Sequence, residues 1–157
     1  MKLLLYFAAA ILSITCYAEV LTSTVDANVE YIPKINQIVN KGDILAKFDT
    51  RTVNIKIQEA NLDLELAKED YKDKKTDVDR YNKLKQVISV AEREDINVSY
   101  HTCRITVAKL KLKIKELEIK KSYHIIKAPF ACKVTKSIVM INSGVEVGDK
   151  ILQIQSI

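Results

Sequence analysis

From Val53 onward, apolar side chains fall at Ile57, Ala60, Leu64, Ala67 and Tyr71, then at Val78 and Tyr81. The steps alternate four and three, with only Lys74 interrupting. A heptad seam of this kind lets one helix pack along another. A second seam runs through Ile96, Tyr100, Cys103, Val107, Leu110, Ile114 and Leu117. Beside it stands a further seven-residue line of Val98, Ile105, Leu112 and Ile119. The second helix thus carries more apolar surface than one partner helix covers, which predicts packing against a neighbouring hairpin and a homo-oligomer. Between the seams, Ser89-Val90-Ala91-Glu92 has the capping-box pattern, serine at the cap and glutamate three later. The first helix is therefore expected to end near Gln86 to Ile88, and the second to start just after Ser89 and run to about residue 122. A connection this short forces the two arms antiparallel, each about 50 Å long.

The sequence repeats on either side of the helices. Asn36 to Phe48 aligns without gaps on Asn142 to Ile154. Each copy has an asparagine, a valine three residues later, Gly-Asp three further on, and then alternating apolar residues. Asparagine tolerates a left-handed turn and Gly-Asp marks a second one. Each flank reads as short strands that cannot bury an apolar face alone, so the two are expected to form one small β-domain. Its first half spans residues 19–49 and its second half 123–157, with the α-helical hairpin at 50–122. The expected fold class is α+β, a long antiparallel two-helix coiled coil inserted in a split β-domain.

Composition narrows the function. No glycine or proline occurs from residue 43 to 128, which rules out a phosphate-cradling loop there. The net charge of +5 is distributed unevenly: residues 59–79 hold eight acidic and four basic side chains, and residues 104–121 hold seven basic and two acidic. Folding at Ser89 is expected to lay much of one run beside the other, so complementarity within the hairpin explains the lysines better than nucleic acid does. No aromatic residues interleave with them for base stacking.

The first residues read as an export signal. Met1-Lys2 is followed by a short apolar run from Leu3 to Thr15, and Cys16-Tyr17-Ala18 offers small residues before a cut. Residues 1–18 are expected to be removed after Ala18, because the run falls short of the ~20 apolar residues of a membrane-spanning helix. The exported chain keeps Cys103 and Cys132. Cys103 lies on the second arm about 25–30 Å from the hairpin base and Cys132 beyond that base, too far apart for a disulfide.

No catalytic or metal-binding constellation is visible. His101 and His124 stand alone, the carboxylates follow helical surfaces, and the glycines of a serine nucleophile elbow are missing. The chain is expected not to be an enzyme and to hold no cofactor.

The segment Val39 to Asp49 (VNKGDILAKFD), the Ala128-Pro129-Phe130 step and the Val145 to Leu152 repeat resemble the membrane-fusion-protein (HlyD-like) family of periplasmic adaptors. In that family a lipoyl-like, barrel-sandwich hybrid domain is split by an α-helical hairpin, and the likeness covers roughly residues 27–155. It implies a periplasmic adaptor that links an inner-membrane transporter to an outer-membrane TolC-like channel for efflux or secretion. At the hairpin tip it implies channel contacts through Arg80, Leu84 and Ser89, although the spacing from Leu84 to Ser89 is two residues shorter than the common efflux pattern. Capping alone also explains Ser89. Ala131-Cys132 stands where the family usually has Asp-Gly. Family members continue into a β-barrel and a membrane-proximal domain, where they meet the transporter, whereas this sequence is a short form ending at Ile157. The alternative is a stand-alone periplasmic coiled-coil scaffold or regulator that does not contact a transporter. A lipoyl carrier is a remote third reading, since helices replace the turn that would bear the modified lysine and export removes the chain from the lipoylating machinery.

Overall fold

The structure, a computed structural model, describes residues 18–83 and 89–157. The expected signal segment up to Tyr17, the expected end of the first helix at Gln86 to Ile88, and Leu84 at the tip lie outside them. Four strands precede the helices: β1 (Ala18–Thr22), β2 (Ala27–Tyr31), β3 (Ile38–Val39) and β4 (Ile44–Phe48). The helices are α1 (Arg51–Lys83) and α2 (Val90–Ser122). Four more strands follow: β5 (Ile125–Lys127), β6 (Cys132–Ser137), β7 (Gly144–Val145) and β8 (Lys150–Ser156).

The strands form two four-stranded antiparallel sheets, ordered β1-β8-β6-β3 and β5-β4-β2-β7. In each sheet the central pair comes from one half of the domain and both edge strands from the other. The sequence repeat has become a two-fold exchange, in which neither half completes a sheet without its mate. β1 belongs to this exchange and pairs with β8 from Ala18 opposite Gln155 to Thr22 opposite Lys150. The sequence pattern predicts strands near residues 29–48 and 125–155 and does not foretell β1, whose partner lies more than a hundred residues away.

The repeated turns behave alike. Asn36 and Asn142 adopt φ of 70° and 68°, and Gly42 and Gly148 adopt 93° and 95°. After each glycine an aspartate reaches back: the Asp43 carboxylate accepts the Asn40 N–H at 2.8 Å, and Asp149 accepts that of Glu146 at 2.9 Å. Leu45, Ala46 and Phe48 on β4 and Ile151, Leu152 and Ile154 on β8 occupy matching positions and are fully buried between the sheets. Val29, Ile32, Val39, Ala128, Cys132, Val134 and Val145 complete that core. Each buried valine, leucine, isoleucine or phenylalanine among them contributes about 1.5–3 kcal/mol by leaving water.

Both feet of the hairpin are tied to this domain. The Phe48 N–H donates to the His124 carbonyl at 2.8 Å, and the Asp49 N–H to the Asn28 carbonyl at 2.9 Å. The Thr24 hydroxyl donates to the Tyr123 carbonyl at 2.6 Å. At the start of α1, Asp49 accepts the Arg51 N–H at 2.8 Å and is clasped by its guanidinium. That clasp holds the Asp49 carboxyl below the usual aspartate range.

Candidate docking surfaces

The hairpin is held by the two seams foreseen from the sequence. Val53, Ala60, Leu64, Ala67 and Leu117 are buried near its base. Tyr71, Val78, Tyr81, Ile96, Tyr100, Cys103 and Val107 are half-buried from the middle of the arms to the tip. In the middle, the hydroxyls of Tyr71 and Tyr100 lie 3.0 Å apart and their rings stack at 5.3 Å between centroids. This polar contact fixes the register of the arms. The hydrogen bond to Tyr71, with desolvation second, pushes the Tyr100 phenol up. Cys103 and Cys132 are both free, and burial raises the Cys132 thiol.

The tip combines a charged and a capping residue. Arg80 stands one turn from the described end of α1, its side chain 63% exposed, with Nη1 3.8 Å from the Asp77 carboxylate. Lys74 shares that carboxylate at 3.8 Å, so Asp77 only loosely occupies the arginine. Ser89 has φ −65° and ψ 154° at the start of α2, and its hydroxyl accepts the Glu92 N–H at 3.2 Å. The cap read from the sequence is therefore formed, and the exposed Ser89 hydroxyl keeps its proton for a further acceptor. Of the three expected channel contacts, Arg80 and Ser89 stand at the tip ends of opposite arms.

A different surface covers the backs of the arms. Val98, Ile105, Leu112 and Ile119 lie on the side of α2 away from its seam and are 46–67% exposed. Ile55, Leu62 and Leu66 on α1 are exposed as well. The sequence reading misses this second patch, although Ile55 to Leu62 is a seven-residue step parallel to the seam.

The expected charge matching within the hairpin is not what holds it. With Tyr71 opposite Tyr100, the acidic run at 59–79 faces residues 92–112 and meets the basic run only from residue 104 to 112. Among the described residues, the ion pairs Lys74–Asp77, Arg80–Asp77 and Lys120–Glu116 each lie within one arm.

At the base, an open cleft of about 600 Å³ separates Thr24, Asp26 and Val147 of the β-domain from Thr52, Lys56 and Leu117 of the hairpin. His124 borders it and holds Nδ1 3.0 Å from the Lys120 carbonyl. Among the described residues no group of three or more His, Cys, Asp or Glu side chains is placed to hold a metal ion. No described helix is long and apolar enough to cross a membrane.

No family model and no curated protein matches the sequence. Solved structures match the fold. MacA from Actinobacillus actinomycetemcomitans, 17% identical, aligns with a TM-score of 0.74 over 90% of this chain and 51% of its own. A membrane fusion protein from Streptococcus pneumoniae R6, 10% identical, gives 0.72 over 89% of this chain and 59% of its own. ZneB from Cupriavidus metallidurans, 12% identical, gives 0.63 over 89% and 61%. At these identities the likeness is one of fold: this chain has the split β-domain and long hairpin of membrane fusion proteins. It spans between half and about three-fifths of the length of those structures.

Proposed function

We propose that this chain is an exported periplasmic adaptor of the membrane-fusion type, linking an inner-membrane transporter to an outer-membrane TolC-like channel for efflux or secretion. The observation that carries the reading is a rod of two 33-residue arms, seamed along its length and anchored at both feet in one interlocked β-domain. A rod of this build holds a small contact surface about 50 Å from the domain that supports it. Its tip supplies Arg80, whose planar donors can bridge carbonyls or carboxylates in a groove between channel helices. The likeness to membrane fusion proteins supports the reading at the level of fold.

The test is photocrosslinking in intact envelopes, with a reactive residue at position 80 and a control at exposed Tyr31 in the β-domain. Capture of an outer-membrane channel from position 80 is the expected result. Capture from position 31 alone, with position 80 silent, would replace the adaptor by a scaffold that binds through its β-domain.

A further inference from the structure

Midway along the hairpin, Tyr71 and Tyr100 bring two oxidisable rings together. Their hydroxyls are 3.0 Å apart, their ring centroids 5.3 Å apart, and the ring planes diverge by 28°. Among the described residues this is the one stacked pair of tyrosines. Tyr31 and Tyr123, by contrast, are exposed and stand apart from it.

The geometry suits one reaction of phenols. A phenoxyl radical carries its unpaired electron on the oxygen and on the ring carbons beside the hydroxyl-bearing one. Two such radicals join at those carbons. Hydroxyls at hydrogen-bond distance bring the joining carbons of the two rings to facing edges, a small rotation from bonding. Both rings are anchored on the arms of one seamed hairpin, so their coupling is intramolecular and outpaces coupling between chains.

Access and charge agree with this chemistry. The two rings are half-buried, and an open groove of about 280 Å³ runs beside Tyr71, walled by Arg104, Val107, Ala108 and Lys111. Arg104 and Lys75 lie close enough to act on the Tyr100 phenol. These cations draw a negatively charged oxidant towards the pair. They also oppose a positive charge left on either ring, so the proton leaves with the electron.

We infer that Tyr71 and Tyr100 form a modification site, at which a diffusible one-electron oxidant closes an intrachain dityrosine bond between the arms. Each phenol gives one electron to the oxidant and one proton to solvent, so two equivalents of oxidant are reduced. The two radicals then join carbon to carbon. The hydrogens on the joined carbons move to the oxygens, which restores two phenols and leaves the chain lighter by two hydrogen atoms. The bond ties α1 to α2 in the register that the hydroxyl contact sets. The site needs no partner protein, so its test is separate from that of the adaptor reading.

The purified chain is oxidised with photogenerated tris-bipyridine ruthenium(III), with persulfate as the terminal electron acceptor, and digested for mass spectrometry. The expected product is a fluorescent monomer with one cross-linked peptide pair, containing residues 71 and 100, in a yield independent of protein concentration. Tyr71→Phe and Tyr100→Phe, with helix content unchanged by circular dichroism, should each lower that yield about tenfold or more. Tyr31→Phe and Tyr123→Phe should leave it unchanged. In cells exposed to hydrogen peroxide the recovered chain should carry the same peptide pair, with sulfoxide at Met140, 80% exposed, as the sign that oxidant arrived. The inference is overturned if the fluorescence belongs to dimers joined through Tyr31 or Tyr123, or survives Tyr71→Phe. Oxidation that ends at half-buried Cys103, one turn from Tyr100, with both tyrosines intact, would overturn it as well. So would a chain from peroxide-treated cells with Met140 oxidised and no cross-link.

Discussion

The backbone N–H of Phe48 donates to the carbonyl of His124 at 2.8 Å, so the chain leaves the β-domain and re-enters it at one point, with both helices between. Phe48 is also fully buried in the core, which couples the foot of the hairpin to the sheets. Phe48→Ala should destabilise the chain by about 3–5 kcal/mol in urea unfolding. Its matching position on β8 should respond in kind: Ile154→Ala is expected to cost about 2–5 kcal/mol. A small loss at either site would mean that the two halves do not share one core.

Gly42 and Gly148 should respond equally to substitution. Both hold a strongly positive φ, and an added Cβ meets no atom within 4 Å at either, so backbone conformation alone sets the cost. Gly42→Ala and Gly148→Ala are each expected to destabilise by about 1–2 kcal/mol. Unequal losses in denaturant titrations would break the two-fold equivalence.

Tyr71→Phe keeps the ring stack and removes the hydroxyl contact. A stability loss of about 0.5–1.5 kcal/mol is expected, with the Tyr100 phenol returning towards its ordinary value. The folded value of Tyr100 is raised, so its contribution is present below the unfolded value and is lost as pH rises through the folded one. Spectrophotometric titration of the phenols in wild type and Tyr71→Phe checks both statements. Identical titration curves would contradict them.

Asp49 works in the opposite direction. Its folded value is depressed by Arg51, so its contribution is present above the unfolded value of about 3.9 and disappears as pH falls below it towards the folded one. Hydrogen exchange at the Arg51 amide should accelerate through that acid window in the wild type. In Asp49→Asn the same exchange should show no step there.

Arg80 and Ser89 separate docking from folding. Ser89→Ala removes a helix cap and should cost about 1 kcal/mol, whereas Ser89→Asp should retain most of the stability. Arg80→Glu should leave thermal unfolding nearly unchanged, because the side chain is exposed and its ion pair with Asp77 is long. It should nonetheless reduce channel capture from the tip. A variant that unfolds early would assign Arg80 to stability instead.

The sequence by itself determined the features whose causes are local. The alternation of fours and threes from Val53 to Tyr81 and from Ile96 to Leu117 specifies two seams, because helical period places those residues on one face. Ser89 and Glu92 specify where α2 starts, and the Asn and Gly-Asp steps specify the repeated turns, because only those residue types adopt such conformations readily. Tertiary structure decided what depends on distant partners. The exchange of β1 and β3 into the sheet of β6 and β8 required strands more than ninety residues away. The Tyr71–Tyr100 contact decided which charges face each other across the hairpin, and it left half of the basic run beyond the acidic one. The arms cover only their seams, so Ile55, Leu62 and Leu66 join the line from Ile105 to Ile119 in solvent. Period shows which residues share a face, but a face is buried or free according to what long-range pairing sets against it.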